Sequence, residues 1–220
     1  MSERTVNPPA APIATALVVL DLHRAVASPE SRFLSRLRAK GIDTSYFEKR
    51  VAHEVIPNVN ALAKLVRDSR GVVIWIRPET RTYGAVDWPI SYRQSLVDSG
   101  FDTPNYEGLE NFALLEGLDL AIGDHCLSSF STSAFCGSPL LATLRNLEVT
   151  DVLITGCLTE SGVVINAMDG THTGFLSTVV EDACASISEE RHVTSIALHS
   201  RLFKVARTQE LIAKFKGEIS

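Results

Sequence analysis

The sequence lacks the patterns that mark nucleic-acid-binding, membrane and secreted proteins. It has no block of lysine and arginine, and its formal net charge is −5, so it carries no electrostatic signature of nucleic-acid binding. No apolar run reaches the roughly 18 residues that a membrane span needs. Residues 1–12 show no charged stretch followed by an apolar one, the pattern of a signal peptide. We therefore expect no nucleic-acid partner, no membrane association and a cytoplasmic location.

Cysteine is scarce and forms no recognisable motif. The chain has four cysteines, Cys126, Cys136, Cys157 and Cys184, and no two of them form a Cys-x-x-Cys pair or a metal-like spacing with histidine. An Asp-x-His motif with a second histidine is also absent from residues 40–90. The sequence thus predicts free thiols in a reducing compartment, with neither a metal nor another cofactor.

What the sequence does contain is an ordinary globular composition. It has 220 residues, of which 45% are hydrophobic and 21% charged, a length that suits one domain with a sizeable core. Prolines at positions 8, 9 and 12 disfavour regular structure at the start. We expect residues 1–14 to be a flexible lead-in and residues 15–220 to form one domain.

Short apolar runs alternate with segments of helical periodicity, which predicts a parallel sheet covered on both faces. The fold class is therefore α/β, a three-layer sandwich around a central, mostly parallel sheet of about six strands. Ser186 and Glu189 predict the start of a helix. The predicted strands are residues 16–21, 71–77, 124–129, 151–156, 175–180 and 203–206, and the predicted helices are residues 30–41, 46–70, 139–147, 162–173, 188–201 and a last one ending at 216.

In such sheets, ligands bind beyond the carboxyl ends of the strands. That rule directs attention to Asp21, Arg77, Ser129 and the loop of residues 156–162, because each stands at the carboxyl end of a predicted strand. A carboxylate at this edge can act as a general acid or base, and a guanidinium can hold a carboxylate through two hydrogen bonds.

Four segments, in this order and spacing, resemble motifs of the isochorismatase-like hydrolase superfamily over roughly residues 15–207. This resemblance implies a Rossmann-like α/β fold and hydrolytic activity on small molecules. The segments are residues 18–23 (Val-Val-Leu-Asp-Leu-His), 133–140 (Ser-Ala-Phe-Cys-Gly-Ser-Pro-Leu), 152–159 (Val-Leu-Ile-Thr-Gly-Cys-Leu-Thr) and 180–186 (Val-Glu-Asp-Ala-Cys-Ala-Ser), the last followed by His192.

The family resemblance implies an Asp–Lys–Cys triad, of which this chain keeps one member. The aspartate corresponds to Asp21. The lysine position, four residues before Ser133, holds Ser129, and the cysteine position, six residues after Gly156, holds Gly162. Glycine has no nucleophile, so the usual covalent route is disfavoured.

True isochorismatases of this family also carry glycine at the cysteine position and cleave a vinyl ether without a covalent intermediate. The resemblance therefore implies that Asp21 is the general acid and that Gly162 belongs to the site. Ser129 brings no positive charge, and Arg77 is the predicted carboxylate clamp. The leading hypothesis is a non-covalent hydrolase or lyase acting on a small anionic metabolite, an isochorismate-like enol-ether carboxylate.

Six further residues complete the predicted substrate site. His23 stands where the family often has glutamine and is a candidate proton carrier. Tyr83 and Trp88 are candidate aromatic walls. Residues Phe135, Cys157 and Leu158 belong to the matching motifs, and in the family the turn after Gly156 often carries a cis peptide bond.

Two alternative functions stay open at this point. Because Ser129 replaces the lysine, the chain is also consistent with a non-catalytic family member that binds a small ligand or a protein partner. A hydrolase of C–N or ester bonds that uses a relocated nucleophile, Cys157 or Cys136, is the third hypothesis. The resemblance also implies a homodimer or a higher homo-oligomer.

Overall fold

The structure is a computed structural model that describes residues 14–78, 86–91, 93, 94 and 113–218. The described residues form a six-stranded sheet in the order β3-β2-β1-β4-β5-β6, and every pair of neighbours is parallel. The α/β class and the central sheet predicted from the sequence are thereby confirmed. The strands are β1 Thr15–Leu20, β2 Val72–Pro78, β3 His125–Ser129, β4 Asp151–Cys157, β5 Leu176–Ala185 and β6 Lys204–Ala206.

Helices cover the sheet on both faces, and two of the helical stretches contain a π-helical turn, here named π1 and π2. The helices are α1 Arg24–Ala27, α2 Arg32–Ala39, α3 Ser45–Arg50, π1 Val51–Val55, α4 Ile56–Asp68, α5 Ala134–Gly137, α6 Leu140–Asn146, π2 Thr159–Val163, α7 Val164–His172, α8 Glu189–His199 and α9 Thr208–Phe215.

The strand sequence explains the three layers. Because successive side chains of a strand point to opposite faces, an apolar run such as Leu17, Val18, Val19 and Leu20 supplies both cores at once. Leu17 and Val19 pack with the core under α2–α4 and α9, whereas Val18 and Leu20 pack with the core under α5–α8. A strand buried on both faces needs exactly such a continuous apolar run rather than an alternating one.

Strand order places the functional edge. From β1 the chain proceeds outward to β2 and β3, then crosses to the other side of β1 and continues outward through β4, β5 and β6. The order therefore reverses between β1 and β4, and in open parallel sheets the crevice at such a point is where ligands bind. Asp21 follows β1 at this point, and Leu158 and π2 follow β4.

Two local predictions need correction. The fifth strand extends to Ala185 instead of ending at residue 180, because its pairing with β4 shifts register between Ile154 and Gly156 and then resumes. The N-cap of α8 is Ser188, whose hydroxyl accepts a hydrogen bond from the Arg191 backbone N–H, and not Ser186. The predicted lead-in lies, except for residue 14, outside the described residues.

Candidate active site

Asp21 stands directly after the central strand β1. Its backbone N–H still donates to the carbonyl of Ile76 on β2 at 3.1 Å, so the residue is tied to the end of the sheet. Its φ angle is +55°, in the left-handed region that aspartate tolerates better than most residues. The chain thus leaves the strand at Asp21, and this carboxylate stands at the carboxyl edge of the sheet.

The environment of Asp21 favours its protonated form. Burial raises the pKa of its carboxyl group from 3.8 to about 7, because desolvation penalises the charged form. The side chain nevertheless keeps 30% of its surface exposed. At neutral pH the group is therefore shared between its acid and base forms, the state that general acid–base catalysis requires.

Gly162 faces this carboxylate. A Cβ atom at Gly162 would lie 3.5 Å from Asp21 Oδ2 and 3.3 Å from the carbonyl oxygen of Cys157. The residue lies in the turn π2, so the connection after β4 brings it against the end of β1. Since glycine has no side chain, residue 162 places no side-chain atom next to Oδ2.

His23 lies on the other side of the carboxylate. Its Nε2 is 3.9 Å from Asp21 Oδ1, and its imidazole is 2% exposed. The His23 backbone N–H donates to Asp21 O at 2.9 Å, and the residue is the N-cap of α1 and forms an isolated bridge with Leu114. The structure thus brings together three predicted site residues, Asp21, His23 and Gly162.

Cys157 and Leu158 form the turn between β4 and π2, and the peptide bond that joins them is cis, as the resemblance implied. The Cys157 thiol is buried and donates to Asp21 O at 3.3 Å. Burial, followed by the nearby charge of Asp21, raises the pKa of this thiol well above its ordinary value. Leu158 packs against the core under α2–α4. Cys157 therefore supports the backbone of the site as a neutral thiol.

A buried hydrogen-bond network anchors the start of π2. Arg50 Nη2 lies 3.2 Å from His192 Nε2, and His192 Nδ1 lies 2.9 Å from Thr159 Oγ1. Because a guanidinium only donates, Nε2 accepts and Nδ1–H donates to the threonine. Burial, followed by the charge of Arg50, lowers the pKa of His192 to about 4. The imidazole is therefore neutral and links Arg50, at the end of α3, to Thr159.

Sequence reasoning missed the role of Arg50. Its guanidinium also donates to the carbonyls of Cys184 and Glu181 on β5, which are 134 and 131 residues away in the chain. No local pattern marks an arginine of this kind, since its partners are distant backbone carbonyls. His192 entered the sequence analysis only as part of a matching motif, and no signal there indicated its contact with Thr159.

Ser129 is occupied by its own chain. Its hydroxyl donates to the carbonyl of Ser131 at 2.8 Å, and the residue is 3% exposed. This is the usual behaviour of a serine at a strand end, where the side chain satisfies a local backbone group. The structure shows no contact of Ser129 with Asp21 among the described residues, and its catalytic role stays a prediction.

Arg77 follows Ile76 on β2, and Asp21 follows Leu20 on β1. Because Leu20 pairs with Ile76 and the two strands run parallel, the backbones of Arg77 and Asp21 lie side by side. Its side chain is half-buried. Burial raises the pKa of the Cys126 thiol, and the charge of Arg77 lowers it, so the guanidinium lies within electrostatic range of Cys126 on β3. Its role as a carboxylate clamp stays a prediction.

Of the three remaining residues that were predicted to contact substrate, two lie in the described part of the chain and the third does not. Phe135 packs in the core under α5–α8, with its ring centroid 6.0 Å from that of Phe175 and against Gly170. Trp88 is buried within the described residues 86–91, and Tyr83 lies outside the described residues. The packing of Phe135 fully accounts for its presence, whereas its contact with substrate stays a prediction.

Neither a metal cluster nor a membrane helix is found where the structure describes the chain. Within residues 14–78, 86–91, 93, 94 and 113–218, no group of three or more His, Cys, Asp or Glu side chains is arranged to hold a metal ion. No helix in those ranges is long and apolar enough to cross a membrane. A cavity of about 750 Å³ lies between α1–α2 and α3–π1, and its lining includes neither Asp21 nor Gly162.

Comparison with known proteins agrees with this fold. The isochorismatase domain family matches residues 15–210, and the chain therefore belongs to the isochorismatase family. It is 27% identical over 168 residues to the uncharacterised isochorismatase family protein YecD of Escherichia coli O157:H7, covering 73% of this chain and 83% of that protein.

Two further proteins are similar to this chain. The ureidoacrylate amidohydrolase RutB of Methylobacterium radiotolerans is 25% identical over 182 residues, covering 78% of this chain and 67% of that protein. The crystal structure of a cysteine hydrolase from Pseudomonas syringae pv. phaseolicola superposes with a TM-score of 0.75 at 18% identity, covering 100% of both chains. This chain is therefore an isochorismatase-family hydrolase, and the correspondence of Gly162 to the family's nucleophilic cysteine stays a prediction.

Proposed function

We propose that this protein hydrolyses a small anionic enol-ether carboxylate, an isochorismate-like metabolite, without a covalent intermediate. The observation that carries the proposal is the pair Asp21 and Gly162. A carboxyl group with a pKa of about 7 lies next to space that a side chain at residue 162 would fill. An acid is present, and the nucleophile is replaced by room for substrate.

The reaction follows from the chemistry of Asp21. The protonated carboxyl transfers its proton to the terminal carbon of the vinyl ether, which leaves an oxocarbenium ion. Water then adds to the cationic carbon, and the Asp21 carboxylate accepts the proton that this water loses. Collapse of the hemiketal breaks the C–O bond: the hemiketal hydroxyl loses its proton as the carbonyl forms, and the ether oxygen takes up a proton. An alcohol and a 2-keto acid are released.

Two features of the site support the acid role. The carboxyl is protonated in a substantial fraction of molecules at neutral pH, as an acid must be before it reacts. Arg77, next to Asp21 along the sheet edge, is the proposed binding group for the substrate carboxylate. We infer that it supplies the positive charge that Ser129 cannot.

The relatives that act on amides make amide hydrolysis the main competing reaction, but no cysteine is placed to carry it. Cys157 is buried, its pKa is raised well above the ordinary value, and a neutral thiol is a poor nucleophile. Cys136 lies in α5, with its Sγ 3.9 Å from Asp169 Oδ2, and the structure shows no contact between it and Asp21 or Gly162 among the described residues.

The experiment measures pyruvate release from isochorismate by the wild type and by Asp21→Asn. We expect turnover in the wild type and a loss of about 1,000-fold or more in the variant, because asparagine has no proton to donate. Asp68→Asn is the matched control, since Asp68 pairs with Lys64 on the exposed face of α4.

Three results would contradict the proposal. Full activity of Asp21→Asn would remove Asp21 from the chemistry. Hydrolysis of ureidoacrylate that is lost in Cys157→Ser or Cys136→Ser would establish a relocated cysteine nucleophile. Binding of isochorismate in a thermal-shift assay, without turnover by a folded wild type, would indicate a non-catalytic binding protein.

A further inference from the structure

The two oxygens of the Asp21 carboxylate face different surroundings. Oδ2 is the oxygen near Gly162, at 3.5 Å from the place of a Cβ atom there. Oδ1 is the oxygen near His23, at 3.9 Å from Nε2. The carboxylate therefore stands between the space for substrate and a buried imidazole.

We propose that His23 exchanges protons with Asp21 through Oδ1 while Oδ2 serves the substrate. His23 is a positioning residue in this scheme, because it acts on the substrate only through Asp21. The proposal rests on the proposed function and adds a proton path to it.

The proton balance of the cycle shows what the relay does. When Asp21 gives its proton to the substrate carbon, the O–H bond at the carboxyl breaks and a carboxylate forms beside the imidazole. A protonated His23 then gives the proton on Nε2 to Oδ1, which restores the acid. When water adds, Oδ2 accepts the proton that the water loses while Oδ1 returns its proton to Nε2, so that His23 is again protonated and Asp21 is again an acid. No proton is gained or lost over the cycle except those of the water that is consumed.

Local structure holds His23 in place for this role. The residue is the N-cap of α1, its backbone N–H donates to Asp21 O, and its bridge to Leu114 fixes the strand-like conformation at φ −130°. A separation of 3.9 Å is longer than a hydrogen bond, so transfer requires a small approach or a bridging water. Catalytic hydrogen bonds often shorten when substrate binds.

The other ionisable groups near the pair have known partners. The Cys157 thiol donates to Asp21 O, and Glu160 of π2 raises the pKa of that thiol and lies 3.7 Å from Arg191. Arg24, next to His23 in the chain, is paired with Glu116.

The first test is the pH dependence of kcat for the wild type, His23→Gln and His23→Ala. Glutamine keeps a polar group of similar reach, but its amide neither gains nor loses a proton between pH 5 and 9. We expect kcat to fall by about 10- to 100-fold in His23→Gln, with little change in KM. The limb of the kcat–pH profile that reports ionisation of the Asp21–His23 pair should also disappear. Added imidazole should restore part of the activity of His23→Ala. His53→Gln is the control, because that histidine is exposed on π1.

The second test needs no substrate. Carbon-13 NMR of the Asp21 carboxyl follows its titration directly in the wild type and in His23→Gln. A relay pair titrates in two linked steps, so we expect a two-step curve in the wild type and a single step in the variant.

The outcomes separate the relay from the proposed function. An unchanged kcat profile in His23→Gln, or identical carboxyl titration curves in the two proteins, would overturn the relay. If the wild type turns over no isochorismate, the proposed function fails, and the titration curves alone decide whether Asp21 and His23 exchange protons.

Discussion

Two regions of this molecule each hold a buried ionisable side chain, and the two side chains differ in their hydrogen-bond partners. His192 is neutral, with Arg50 donating to Nε2 and Thr159 accepting from Nδ1. Asp21 receives no comparable donor among the described residues, and burial alone raises its pKa to about 7. The difference teaches that burial combined with hydrogen bonds makes a structural group, whereas burial without them makes a group that is ready to exchange a proton.

The strongest way to break this comparison is to fill the space beside Asp21. We expect Gly162→Val to lower kcat/KM about 100-fold, because its side chain would occupy the position next to Oδ2 and misplace the substrate. Gly162→Ala serves as the graded control and should lose less. Steady-state kinetics checks the loss, and a melting curve for each variant separates it from unfolding. Wild-type activity in both variants would mean that substrate does not bind at this position.

A second prediction concerns the contribution of Arg50 to the stability of the hydrogen-bonded region around His192. Arg50→Met should lower the free energy of unfolding by about 3 kcal/mol, because it leaves buried carbonyls of β5 and a buried imidazole without their donor. Lys64→Met is matched to it, since Arg50 and Lys64 each form an exposed ion pair four residues along a helix. That control should cost less than about 1 kcal/mol. Equal losses in a urea titration would show that the buried contacts of Arg50 contribute nothing.

The His192 network predicts a loss of stability in acid. The pKa of His192 is lowered from 6.5 to about 4 on folding, so the unfolded chain binds more protons between these values. The contribution is present above pH 6.5 and is lost as the pH falls to 4, by about 2 kcal/mol. It is measured as the difference in unfolding free energy between the wild type and His192→Asn across this range. A difference that does not change with pH would contradict the prediction, and His53→Asn provides the baseline.

Asp21 predicts an effect of opposite sign, which solvent screening reduces because the side chain keeps 30% of its surface exposed. Its pKa is raised from 3.8 to about 7 on folding, so the native state binds more protons between these values and loses stability as the pH rises through them. Asp21→Asn should therefore be more stable than the wild type at pH 8, by about 1–2 kcal/mol, and this advantage should vanish near pH 3.5. Thermal melts at the two pH values test this, with Asp68→Asn as the control. A variant that is less stable than the wild type at pH 8 would show that the site stabilises the charged carboxylate and does not disfavour it.

Much of the fold could be predicted because the strands are buried on both faces. Continuous apolar runs such as residues 16–20 and 152–154 have no other stable location in a chain of this length. The strand at residues 181–185 was missed because Glu181 and Asp182 are not apolar. They are tolerated where the pairing with β4 shifts, with Arg50 bonded to the Glu181 carbonyl and Asp182 accepting from Thr208.

The candidate site divides in the same way. The order of apolar runs and the acid after β1 are local facts, and they sufficed to predict the α/β class and to single out Asp21. The resemblance to the isochorismatase-like hydrolases singled out His23 and Gly162. Two things were decided only by the tertiary structure: that Oδ2 faces Gly162 while Oδ1 faces His23, and that Arg50 and His192 hold the start of π2. Both depend on which groups are removed from water and which partners those groups meet when distant segments pack. Local spacing in the sequence does not encode these outcomes.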